Sequence, residues 1–250
     1  MLFSPKTNPG LMDSEAHDHH NRVDPHKRAS SFSDIILGGQ DGLVNVLGVI
    51  LGVAAATEDP YVVMVAGLAA TFAESVSMGA VAYTSTKAEA DYYESERERE
   101  YRHIEQIPAL ERVEVMRIYA DKGFQGDLLD KIVNTITANQ DVWVAVMMAE
   151  EHKLGPVNRG VALRSALIVG ISAIIGSLIP LAPFVFLPVH ASMVVSVLIT
   201  ALVLFIVGAY KARITVGKPG RSGLEMAFIG TASAMVGFAV GWLMKIPAIP

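Results

Sequence analysis

Residues 87–160 repeat one kind of pair. Glu100 and His103 are three residues apart, Glu111 and Glu114 are three apart, and Met147 and Met148 precede Glu151 by four and three. On a helix these spacings put both members on one face. Three helices folding together could bring carboxylates, an imidazole and thioethers to one centre. Such a donor set suits a divalent first-row metal, and the thioethers disfavour Mg²⁺ and Ca²⁺. Glu pairs at this spacing also occur on any solvated helix, and Met147 alone reads as core sooner than as a ligand. Two more acids stand in apolar surroundings. Asp41 lies two turns inside the first apolar segment, ~9 Å deep at 1.5 Å per residue. Glu74 lies midway along the second, with Met78 one turn later on the same face. An acid near the centre of a span costs roughly 2.5–3.5 kcal/mol on insertion scales, and such residues mark ion or proton paths. A buried structural hydrogen bond is the alternative for both.

The elements that must position these residues are membrane spans. The chain has 250 residues, 52% apolar and 18% charged, too apolar for an ordinary water-soluble domain. No Asp, Glu, Lys or Arg occurs between Ser165 and Tyr210, long enough for two spans of about 20 residues. Glu58-Asp59-Pro60 divides another apolar stretch into two, and Met226 to Met244 forms a fifth. The spans are expected near 35–57, 61–86, 163–183, 189–210 and 224–244. Nineteen of the 20 Lys and Arg fall in the N-terminal arm, in 87–164 and in 211–221, while the loops at Glu58 and His190 hold none. This alternation predicts that the N-terminus and the insert are cytoplasmic. No signal peptide is expected, because the first apolar run starts near Ile35. The absence of cysteine excludes disulfides and thiolate metal sites.

Four regions follow: a polar arm over 1–32, two spans over 33–86, a helical metal-binding insert over 87–160, and three spans over 161–250. The arm is expected to be disordered, and its His17, Asp18, His19 and His20 could bind metal loosely. No Gly or Pro lies between Gly79 and Pro108, so span 2 should continue out of the membrane as one helix. A second insert helix is expected over 109–122, stopped by Gly123, and a third over 127–154, stopped by Gly155-Pro156. The stripe Leu129, Ile132, Ile136, Trp143 and Met147 supports one continuous third helix. Gly48-x-x-x-Gly52 and Gly237-x-x-x-Gly241 allow close helix approach and suggest a dimer. The expected fold is all-α: a polytopic membrane protein with five transmembrane helices and a three-helix cytoplasmic insert.

At these residues the chain resembles the vacuolar iron transporters, a family related to the yeast vacuolar iron and manganese importer. The segments that carry the resemblance are Ser33 to Leu43, Ser77 to Gly79, Lys87 to Asp91, Met147-Met148 and Leu178 to Pro183. The resemblance implies a homodimer with a pore between two copies of span 1, exporting Fe²⁺ from the cytosol in exchange for protons. It places pore ligands on Asp41 and Met78, and cytoplasmic ligands on Glu100, His103, Glu111, Glu114, Met147, Met148 and Glu151. The family pattern has glutamate where this chain has His103. A further pore glutamate matches Ala70, with Glu74 one turn along as its candidate replacement. The expected function is therefore proton-coupled Fe²⁺ transport, with Mn²⁺ as a second cargo. The expected partners are lipid, protons, divalent ions and a second copy, with no nucleic acid. The membrane is the plasma membrane in a prokaryote or the vacuolar membrane in a eukaryote. Two alternatives stand: a ferritin-like ferroxidase built on Glu100-x-x-His103, and a transporter specific for Mn²⁺, Co²⁺ or Zn²⁺.

Overall fold

The computed structural model describes residues 28–215 and 217–245. The His17–His20 cluster and the disorder expected of the arm lie outside these residues. The described chain is helical: α1 (Arg28–Thr57), α2 (Pro60–Gln106), α3 (Pro108–Asp121), α4 (Gly126–Thr137), α5 (Gln140–Glu150), α6 (Val161–Leu181), α7 (Pro183–Phe186), α8 (Val189–Ile214) and α9 (Pro219–Leu243). Five of them, α1, α2, α6, α8 and α9, are long and apolar enough to cross a membrane. The chain divides into two compact units, one of Met1–Ala80 with Ser165–Pro250 and one of Val81–Arg164.

In the first unit, α9 packs on α8 and on α1, and α7 packs on α8. Val46, Leu47, Ile50 and Ala54 of α1 form its core with Val63, Leu181, Phe184 and Ala234. The outer faces of these helices remain apolar, with Phe72, Leu198, Leu202, Phe228 and Val236 all exposed. A soluble protein rarely carries that much exposed apolar surface, whereas acyl chains match it. Small residues let the backbones meet. A Cβ on Gly38 would run into Val169 of α6, and one on Gly42 into Ala173. The two Gly-x-x-x-Gly motifs are used on each other. A Cβ on Gly52 would lie 2.8 Å from the Gly237 carbonyl oxygen, and one on Gly241 would strike the Gly52 carbonyl. Within one chain these motifs close α1 against α9, so they are not free to join two copies. Gly237→Val should therefore push α1 and α9 apart. Overpacking of this kind costs about 1–3 kcal/mol. Thermal unfolding in detergent should show a clear loss, with Gly220→Ala neutral as the control, since nothing lies within 4 Å of a Cβ there.

α6 stops earlier than expected, at Leu181 rather than 183. Pro180 lies inside its last turn and Pro183 opens the separate four-residue α7. The carbonyls freed by this break are answered from α8. Ser196 Oγ donates to the Pro180 oxygen at 2.6 Å, and Ser192 Oγ reaches the Pro183 and Leu187 oxygens at 3.1 and 3.0 Å. In hydrocarbon such groups need a protein partner.

The 47 residues of α2 span about 70 Å at 1.5 Å per residue, against about 30 Å for a bilayer core. The helix runs without interruption to Gln106, as the sequence predicts. Pro108 then begins α3 at its first position, where a missing N–H costs nothing. α3 ends at Asp121, and Gly123 just beyond it turns the chain with a φ of +97°, the left-handed conformation glycine supplies. The expected third insert helix is two helices. Asn139 leaves helical geometry at φ −129° and ψ 122°, and its side chain accepts from the Val142 N–H at 3.1 Å, starting α5 anew. α5 closes at Glu150, not at 154. The second unit thus holds the end of α2 with three further helices, and α3, α4 and α5 pack on one another.

Candidate metal site and membrane carboxylates

The last turns of α2 carry Glu100 and His103, α3 carries Glu111 and Glu114, and the end of α5 carries Met147, Met148, Glu150 and then Glu151. Ile104, Val115, Val133, Ile136, Trp143, Val144 and the two methionines form the core that holds these ends together. Around it, Tyr101 donates to Asp141 at 2.6 Å, Lys122 pairs with Glu150 at 2.5 Å, and Arg112 reaches Asn134 and Thr137.

Glu100 and Glu111 are 2% and 3% exposed. His103 Nδ1 lies 3.4 Å from Glu111 Oε1 and 3.9 Å from Glu100 Oε1. His152 Nε2 lies 2.9 Å from Glu100 Oε1. Two sets of donor atoms therefore converge on Glu100: Glu100 with His103 and Glu111, and Glu100 with Glu151 and His152, each within 4.8 Å. A third buried acid, Glu96, is answered by Arg99 at 3.0 Å. Glu100 and Glu111 have no Lys or Arg partner within 4.0 Å among the described residues, and the Oε2 atom of each is buried without a hydrogen bond. Leaving a buried charge uncompensated is costly, so a cation or a bound proton would relieve these acids.

The electrostatics point the same way. Burial, with Glu100 and Glu114 nearby, pushes Glu111 up to about 7. Burial and Glu114 also raise Glu151 above the usual carboxylate range. Burial pulls His152 down, but its hydrogen bond to Glu100 and the charges of Glu100 and Glu151 outweigh this and raise it. Folded Glu111 thus binds its proton more tightly than the unfolded chain. The stability this gives is fully present below about 4.5 and is lost as pH rises through about 7. His152 has the same sign. Metal-free protein should therefore melt at a lower temperature at pH 7.5 than at pH 5. A bound divalent ion needs Glu111 deprotonated, so metal affinity should fall by up to about tenfold per pH unit below 7 for each proton displaced. Mn²⁺ titrations at pH 6.0 and 7.5 would measure it.

The structure places Glu100 with His103 and Glu111 on one side and with Glu151 on the other, and Glu114 is in electrostatic contact with Glu111 and Glu151. Met147 and Met148 are 0% and 1% exposed and packed in the apolar core. His152 is the residue that helical pairing from α2 and α3 does not reveal. It lies just past α5, where its N–H donates to the Met147 carbonyl at 3.2 Å.

In the membrane unit, Asn45 Nδ2 donates to Glu74 Oε1 at 2.8 Å, joining α1 to α2. Asp41, one turn before Asn45, is in electrostatic contact with the same Glu74. Asp41, Glu74 and Met78 are all half-buried in the single chain, and Asn45 is exposed. Span 1 thus presents two polar side chains to one carboxylate of span 2, while Ala70 offers no donor.

This arrangement has relatives. Vacuolar iron transporter 1 of Arabidopsis thaliana is 35% identical over 231 residues, covering 91% of either chain. Vacuolar iron transporter 1 of Eucalyptus grandis is 33% identical over 239 residues, covering 93% of this chain and 94% of its own. The vacuolar iron transporter of Plasmodium falciparum is 29% identical over 250 residues, covering 94% and 92%. The model of the VIT family matches residues 32–242, which run from the start of span 1 to the end of span 5. With its five apolar helices and its cluster of acids and imidazoles, the chain belongs to the VIT family.

Proposed function

We propose that this protein carries Fe²⁺ out of the cytosol across a membrane, in exchange for protons. The observation that carries the reading is the pair of buried acids, Glu100 and Glu111, each with an unanswered oxygen and no Lys or Arg partner among the described residues. The names of the relatives supply the cargo and the membrane: iron, and the vacuole in a eukaryotic cell. Residues 81–164 act as the capture domain. Glu100, His103, Glu111, Glu114 and Glu151 bind the ion, and Met147 and Met148 back the site with soft sulfur. The distribution of Lys and Arg supports a cytosolic position for this domain and the N-terminus. Asp41, Met78 and Glu74 then receive the ion within the spans. Asp41 or Glu74 takes up a proton as the metal leaves.

The active form is a homodimer. Asn45 sits near the middle of span 1 yet is exposed on a single chain. A second copy would take this amide out of the acyl chains, where an exposed polar group is costly. The relatives bear transporter names, which sets the ferroxidase alternative aside. Anaerobic uptake into proteoliposomes tests the reading, with Fe²⁺ as cargo and Mn²⁺, Co²⁺ and Zn²⁺ as competitors. Fe²⁺ uptake above that of empty vesicles supports it. Uptake of Mn²⁺ that excess Fe²⁺ fails to inhibit would contradict iron as the cargo.

A further inference from the structure

Two imidazoles face two buried carboxylates in the insert. Glu100 Oε1 is 2.9 Å from His152 Nε2, and Glu111 Oε1 is 3.4 Å from His103 Nδ1. Donor atoms bound side by side to one first-row ion at about 2.1 Å are about 3 Å apart in an octahedral shell and about 3.4 Å apart in a tetrahedral one. Both separations match that spacing. Glu151 joins the His152 group, with all three donor atoms within 4.8 Å of one another. A simple hydrogen bond from His152 would satisfy one oxygen of Glu100. It leaves the other, Oε2, buried and unpartnered, and leaves Glu111 Oε2 in the same state. An ion among these groups answers both.

We propose that His152 is a metal ligand of the insert, acting with Glu100 and Glu151, and that His103 and His152 together make the site favour Fe²⁺ and Zn²⁺ over Mn²⁺. Imidazole suits iron and zinc, whereas an all-carboxylate site suits manganese. The proposal rests on the reading of the insert as a capture domain. It adds a residue to that site and a rule for which ions it keeps.

The test uses the full chain in detergent at pH 7.5, with His17, His19, His20 and His26 changed to Ser so that the arm does not compete. Zn²⁺ and Mn²⁺ are titrated separately and followed by calorimetry for the parent, His152→Gln and His152→Glu. Circular dichroism and size exclusion confirm folding. His152→Gln should weaken Zn²⁺ binding by at least about tenfold and Mn²⁺ binding by less than about threefold. His152→Glu should restore Mn²⁺ but not Zn²⁺, so that the preference for zinc falls by at least about tenfold. Equal losses for both ions would make His152 a positioning residue for Glu100 and overturn the proposal. No change for either ion would overturn it as well. Failure of the parent to bind either ion would instead overturn the capture reading beneath it.

Discussion

Asp41→Asn is expected to reduce Fe²⁺ uptake by reconstituted protein at least about 100-fold, to the level of empty vesicles. Asp41 sits in an apolar span, in contact with Glu74, which Asn45 holds at 2.8 Å. Asparagine keeps the shape and removes the charge that a partly dehydrated cation needs. It also removes a group able to exchange the ion for a proton. The substitution lies in the membrane unit, whereas Glu100, His103 and Glu111 belong to the other. Metal binding by the insert should therefore remain within about twofold of wild type, since distant sites act independently. Full uptake by Asp41→Asn would remove this carboxylate from the path. Loss of insert binding along with uptake would indicate misfolding rather than a blocked pore.

Glu100→Gln should have effects of opposite sign on binding and on stability. Glu100 is common to both donor groups. Its loss should weaken metal binding at least about 100-fold by calorimetry. The same change removes a buried charge that raises Glu111 and Glu151. The metal-free protein should become more stable at pH 7.5, and about 1 kcal/mol would appear as a rise in Tm of roughly 2–4 °C. The pH-dependent loss of stability should also shift to lower pH, because Glu111 would titrate closer to the ordinary range. A substitution that destabilised the protein and left metal affinity intact would make Glu100 a structural residue.

The spans were legible because charge is nearly absent from them, Asp41 and Glu74 being the acids within the first two. The uncharged run from Ser165 to Tyr210 fixes two, and the acids and proline at 58–60 separate two more. The continuity of α2 was equally plain, since nothing between Gly79 and Pro108 breaks a helix. The division of α4 from α5 was not. The apolar stripe stays in register across it, and one capping residue, Asn139, interrupts the backbone without disturbing the periodicity. The partner of each Gly-x-x-x-Gly motif was also hidden, because spacing shows that a helix can be approached closely but not by what. His152 left a signal in the sequence, for it is four residues beyond Met148. Its contact with Glu100 spans 52 positions and exists only once α2 and α5 are folded together.

The most direct test of the central claim is anaerobic Fe²⁺ uptake by wild-type proteoliposomes carrying a metal-quenched dye in one set and a pH dye in a parallel set. An acidic interior should accelerate Fe²⁺ entry by at least about tenfold over vesicles without a gradient, because a pH unit supplies about 1.4 kcal/mol per proton. The pH dye should report alkalinisation of the lumen as iron enters. Iron entry at the same rate with and without the gradient, and without a change in lumenal pH, would contradict proton-coupled transport.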